Sequence, residues 1–282
     1  MTQLLRHVAL VSESDRITPA DLMPVAAALQ KQASRDLAPQ WEINATVNAF
    51  ARIEDVPLDY WPVIIRDDIQ YQAAGIHLDK NGQPFALVLA EDDRDQWSLT
   101  CSHETLEMLV DPFGNRMVAG DSPMPDQGRV NFLVEVCDPT EAAQFAYTIN
   151  GVMVSDFYTP HFFDPVTTPG TRYSYTGGVE APRAIREGGY LSWVDLATDI
   201  WWQQQWFDTT KKPVFKKLGQ MDGKASLRSQ IDRGTAEATA AAIAGGRHSA
   251  LLAGMPMAAA EDGATGRAKA LRTQIAALTA TA

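Results

Sequence analysis

The chain has 282 residues with 45% hydrophobic and 21% charged side chains, ordinary for a globular protein with a sizeable core. Its net charge of −11 argues against nucleic acid as the main partner, because such surfaces are usually basic. The charge is uneven: residues 1–208 carry 13 basic against 30 acidic side chains, and residues 209–282 carry 11 against 5. This split predicts a body over 1–208 and a basic linker with an Ala-rich, helical or partly disordered tail over 209–282.

In chain order, residues 8–12 read as a short buried strand. Thr18-Pro19 opens a helix, with Thr as N-cap and Pro at the first helical position, and Leu22, Val25, Ala26 and Leu29 recur at helical spacing. Pro39 is expected to end it. Residues 42–50 and 60–66 read as strands, with Pro62 arguing against a central place for the second. Asn81-Gly82 marks a hairpin within 73–90. A helix is expected from near Trp97 to just before Pro112. Residues 129–137 and 145–155 are further strand candidates, the latter turning at Asn150-Gly151. Residues 156–190 are rich in Tyr, Pro, Gly and Thr and read as structured loops. Residues 190–207 hold four of the seven tryptophans and suit either a helix or an aromatic strand. Lys211–Lys217 reads as a solvated linker. No aromatic residue follows Phe215, so the tail over 225–282 would bury little area alone and suits assembly with other subunits. The class expected is α+β, a mixed sheet packed against an N-terminal helix and a second helix.

Cys101 and Cys137 do not make a disulfide framework and read as reduced thiols, Cys101 as a small buried residue. The first residues lack the apolar run of a secretory signal, and no stretch approaches the ~18 apolar residues of a membrane span. A cytoplasmic or virion-associated protein is expected.

Chemistry concentrates in Ser102-His103-Glu104-Thr105-Leu106-Glu107, continuing to Asp111-Pro112. On a helix His103 and Glu107 lie roughly 40° apart on one face, close enough to share an ion, and Asp111 lies one turn further. Glu104 would sit beside a metal-bound water. This is the logic of the H-E-x-x-H helix, with Glu107 in place of the second histidine. A carboxylate is an acceptable zinc ligand, and the harder donor set leaves manganese, iron and calcium open. The same pattern also arises as a charged helix face around a structural histidine.

The segment SHETLEMLVDP resembles the variant active-site helix of a group of zincin-type zinc metallopeptidases, S-H-E-x-x-E-x-x-x-D-P, and Glu135-Val136-Cys137-Asp138-Pro139 resembles their later acidic/Cys segment. The resemblance spans roughly residues 5–195. It implies His103 and Glu107 as zinc ligands, Glu104 as the base that activates water, and a peptide or protein substrate. A catalytic zinc wants a third protein ligand. Asp111, Glu135 and Asp138 are the candidates, the last two favoured, since Asp111 also suits a helix cap or a ligand-orienting role. The strand around Phe85–Ala90 would be the edge on which an extended peptide substrate lies.

Tyr190, after Gly188-Gly189, is a candidate oxyanion donor. His161 and His77 are weaker candidates: the first reads as a loop residue bonded to backbone, the second as a surface partner of Asp79. A second function stands beside the hydrolase: a catalytically inactive, zincin-like structural or interaction protein of a larger assembly, such as a virus particle or secretion apparatus, attached through residues 225–282.

Overall fold

The computed structural model describes residues 4–207, 212–222 and 226–244, with side chains to Thr235 in the last segment. The expected tail beyond 244 lies outside the described residues. The chain is mixed α/β, with two five-stranded sheets and an N-terminal helix. By contacts it forms two compact units. Among the described residues the first comprises 4–115, 148–155 and 226–236, and the second 116–147, 156–207, 212–222 and 237–244. No helix among the described residues is long and apolar enough to cross a membrane.

The first unit is built on β1 (Leu5–Ser12), whose Val8, Ala9, Leu10 and Val11 are fully buried. Parallel strands β2 (Asn44–Phe50) and β3 (Tyr60–Arg66) flank it, and β5 (Gln83–Leu89) runs parallel beyond β3. β4 (Gly75–Lys80) folds back antiparallel through Asn81 (φ 56°) and Gly82 (φ 78°), giving the order β2-β1-β3-β5-β4. Two expectations are corrected here. β3 is internal despite Pro62, because its ladder with β5 begins only at Val63, after the residue that lacks an N–H. The strand around Phe85–Ala90 is not an edge either, because the hairpin covers it with β4, which is the edge.

Helix α1 (Pro19–Lys31) opens as its sequence requires: the Asp21 carboxylate accepts from the Thr18 N–H at 2.9 Å and hydroxyl at 2.6 Å. Pro39 does not end it. The helix passes through a π-helical segment, Gln32–Leu37, and continues as α2 (Ala38–Trp41) with Pro39 in the first turn, where no donor is lost; Glu42 stops it at φ 56°. The wide segment carries Gln32, buried, to the Ser102 hydroxyl (2.8 Å) and the Ser155 carbonyl (2.9 Å).

Helix α3 (Arg94–Val110) starts three residues earlier than its apolar pattern suggests, because Asp93 caps it by accepting from the Asp95 N–H at 3.0 Å. It is buried on nearly every face, which explains why its pattern is not a clean stripe. The hairpin of β8 (Tyr147–Ile149) and β9 (Val152–Val154), turning at Asn150-Gly151, lies along it: Ser98 donates to the Met153 carbonyl at 2.9 Å, and the Ser155 N–H donates to Ser102 at 2.8 Å. Arg6 of β1 caps the other end, donating to the Leu109 carbonyl at 2.8 Å. The start of α4 (Leu227–Ala244) completes the unit through buried Arg228, Ile231 and Thr235.

In the second unit an antiparallel sheet has the order β12-β11-β10-β7-β6, from β6 (Met117–Asp121), β7 (Arg129–Leu133), β10 (Tyr190–Asp195), β11 (Ile200–Gln205) and β12 (Val214–Gly219). Residues 190–205 are therefore a strand pair, with buried and half-buried positions alternating along β11 at the period of two that strands require. The stretch read as a solvated linker supplies β12: Val214, Phe215, Lys216 and Lys217 pair with β11, and exposed charged residues are what an edge strand tolerates. The long loop over 156–189 packs its own aromatics, with Tyr158 stacked on Phe162 at 4.3 Å and Phe157 on Tyr175 at 5.2 Å.

Candidate metal centre

Helix α3 carries His103, Glu104 and Glu107 of the motif, with Asp111 as its C-cap, and the first unit supplies partners from two other elements. His103 Nε2 lies 3.3 Å from Glu107 Oε1, the (i, i+4) approach its spacing predicts. Both are buried, Glu107 completely. The second Glu107 oxygen, Oε2, faces His77 Nδ1 at 3.6 Å and the Arg228 guanidinium at 3.5 Å. Arg228 in turn pairs with Asp232 one helical turn on, at 3.1 Å. Glu107 is thus held between imidazoles of α3 and β4 and a guanidinium of α4.

Glu104 points to a different side of α3. Its Oε2 lies 3.6 Å from His77 Nδ1, is buried, and makes no hydrogen bond among the described residues. Its side chain crosses the backbone of β4 at Gly75, where a Cβ would come within 2.6 Å of Glu104 Oε1 and of Thr100 Cγ2. Only a glycine lets the carboxylate lie there. Asp111 is the C-cap of α3, and its backbone carbonyl accepts from His77 Nε2 at 3.1 Å and from the Gly114 N–H at 3.2 Å.

Burial opposes ionisation of Glu107, yet the charges of His103, Arg228 and His77 together hold its carboxyl well below the usual range. It is an anion at neutral pH, as a ligand carboxylate must be. Cys101, on the same helix, is fully buried; burial and then the Glu104 charge push its thiol up, so it stays protonated and inert.

His103 and His77 each bring a buried imidazole to Glu107, on separate oxygens, and each pair is of the donor type that could hold a metal ion. His77 is the residue the sequence undervalued. It is no surface partner of Asp79, for its ring is fully buried. The available signal was the strand itself: His77 sits between Ile76 and Leu78 in an otherwise apolar run. Arg228 was missed altogether, since nothing in an Ala-rich segment marks one arginine as buried.

The remaining candidates belong to the second unit. Glu135 and Asp138 are buried in the segment after β7, with Asp138 opening a short 3-10 turn through Pro139. Cys137 between them is also buried. Tyr190 is buried at the start of β10, its ring 5.9 Å from that of Phe207. Gly188-Gly189 has a packing reason: a Cβ on Gly189 would lie 2.5 Å from the Pro139 carbonyl oxygen. His161 is exposed and bonded to Asp164 at 2.9 Å, a local turn contact.

Comparison with protein-family models, with curated proteins and with solved structures returns no match.

Proposed function

We propose that the protein is a metal-dependent hydrolase of zincin type that acts on peptide bonds, with zinc as the ion. The observation that carries this reading is the buried pair of His103 Nε2 and Glu107 Oε1 at 3.3 Å on one helix, with Glu104 next in sequence and its buried Oε2 making no hydrogen bond among the described residues. The donor set fits: an imidazole nitrogen and a carboxylate, beside a guanidinium that favours the ionised carboxylate. When bound, the ion supplies Lewis-acid polarisation of a carbonyl and acidifies water.

The chain's own residues do the rest. His103 and Glu107 bind and, being buried, exclude bulk water from their shared face. Glu104 Oε2 takes a proton and returns it to a leaving amine, the role of a general base and acid. Helix α3, tied down by Ser98, Ser102 and the Asp93 cap, fixes their relative positions. An extended peptide would add to β4, the terminal strand of the first sheet.

A second reading has its own observation. Arg228 already places a cation against Glu107 at 3.5 Å, so the cluster also suits a metal-free, catalytically inactive zincin-like protein that serves an assembly. Metal analysis of gently purified protein separates the two. The hydrolase predicts about one transition metal per chain, lost in His103→Ala. Glu104→Gln should keep the metal and lose peptide cleavage by a factor of roughly 10³ or more. A metal-free wild type with the same thermal stability before and after chelation would sink the hydrolase and leave the second reading.

A further inference from the structure

The geometry points to Arg228, at the start of α4, as a positioning residue of the metal centre: its guanidinium holds one oxygen of Glu107 and leaves the other to face His103. This inference rests on the metal-centre reading above and extends it to a residue on a separate segment of the first unit.

The two oxygens of Glu107 face different groups. Oε1 lies 3.3 Å from His103 Nε2, the pair that would share an ion. Oε2 lies 3.5 Å from the Arg228 guanidinium, with His77 Nδ1 at 3.6 Å from the same oxygen. A carboxylate free to rotate about its last bond loses that freedom when it binds a cation. One whose second oxygen already faces a fixed positive charge presents the first in a set direction, so less is lost. The guanidinium suits this part because it is never deprotonated in a protein. Carboxylates that ligate metals are commonly braced by such a partner outside the ion's own shell.

Arg228 is itself held in place. It is only 4% exposed, and its Nε lies 3.1 Å from Asp232 Oδ1 one helical turn on. Ile231, fully buried, anchors the same turn of α4. The stem of Arg228 rests on the turn that ends the motif helix: a Cβ on Gly114 would lie 3.0 Å from Arg228 Cβ. Gly114 also takes φ 58°, and its N–H donates to the Asp111 carbonyl at 3.2 Å. A glycine there meets both demands, the left-handed backbone and the close approach of the arginine. The turn over 111–114 thus carries the motif into a seat for Arg228. The segment 226–236, which the sequence assigns to linker and tail, packs with the first unit and supplies a working part of its site.

The test uses the full-length chain stripped of metal and reloaded with Zn2+, or with Co2+ as a spectroscopic probe. With Oε2 held, Glu107 offers the ion one oxygen; with Oε2 released it can offer two. The visible absorption of Co2+ weakens as its coordination number rises. Arg228→Met should therefore bind Zn2+ about tenfold less tightly by calorimetry, and its saturated Co2+ form should absorb more weakly than that of the wild type. A loss of fold stability alone would leave the saturated spectrum unchanged. A folded Arg228→Met protein with the wild-type Co2+ spectrum, or with Zn2+ affinity within about twofold of wild type, overturns the positioning role and leaves the metal reading standing. So does tighter binding of Zn2+ by the variant, because the arginine would then oppose the ion. A wild type that binds neither ion overturns both. Should Arg228→Met fail to fold, Arg228→Gln, which keeps a hydrogen-bond donor for Asp232, decides by the same two measurements.

Discussion

The two units each bury a carboxylate completely and treat it in opposite ways. In the second unit Asp156 accepts from the Thr176 N–H at 2.9 Å and the Thr176 hydroxyl at 2.8 Å. Its partners are neutral dipoles of its own loop; burial outweighs them and pushes its carboxyl up to about 6. In the first unit Glu107 meets the same burial, but charged groups from α3, α4 and β4 outweigh it. A short loop can deliver dipoles to a buried acid. Delivering charges takes side chains from positions 77, 103 and 228, which only a folded unit assembles. The Asp156 site is a brace for the loop over 156–176. The Glu107 site instead gathers charged groups from three elements around one buried acid.

Three experiments would break or sharpen that contrast. Arg228→Met should have the largest effect. It leaves Glu107 and Asp232 with less compensation while both remain largely buried, and the loss should be about 3–5 kcal/mol in denaturant unfolding. Saturating Zn2+ should recover part of it, because a dication restores the missing charge. Equal stability of the variant with and without Zn2+ would leave Glu107 as a brace like Asp156.

The pH dependences should differ in sign. Glu107, ionised more readily folded than unfolded, contributes stability that is complete above its ordinary value of 4.5 and is lost as the pH falls below it. Asp156, with its folded value raised from 3.8 to about 6, contributes stability that is complete below 3.8 and is lost as the pH rises through 6, on the order of 2–3 kcal/mol in total. Unfolding free energies of wild type against Glu107→Gln and against Asp156→Asn, measured from pH 3 to 7, should show the two differences bending in opposite directions. Parallel curves would remove the contrast.

Gly75→Ala should have the smallest effect on stability, about 1–2 kcal/mol, as the new methyl pushes on Glu104 and Thr100. On the hydrolase reading it should cost activity well beyond that, because it displaces the base while leaving the ligands. A variant that loses stability but cleaves at the wild-type rate would remove Glu104 from the chemistry.

Much of the first unit was legible in advance. Thr18-Pro19 announced α1, Asn81-Gly82 and Asn150-Gly151 announced two hairpins, and the His103–Glu107 spacing predicted the contact at 3.3 Å. These signals are local: a cap, a left-handed turn and a helical repeat are set by residues within four positions of one another. Where a local signal misled, a neighbour had compensated. Pro39 fell in a first turn, Pro62 lay before the second ladder, and Asp93 capped α3 ahead of its apolar pattern.

By itself, then, the sequence determined the elements near the motif and the face of α3 on which His103 and Glu107 meet. Only the tertiary structure decided what surrounds that face: the internal place of β5, the burial of His77 and the approach of Arg228. The reason is physical. Helical and turn geometry repeats over a few residues and leaves its mark in spacing. Burial of a lone imidazole or guanidinium depends on which distant strand or helix packs over it, and no periodicity encodes that.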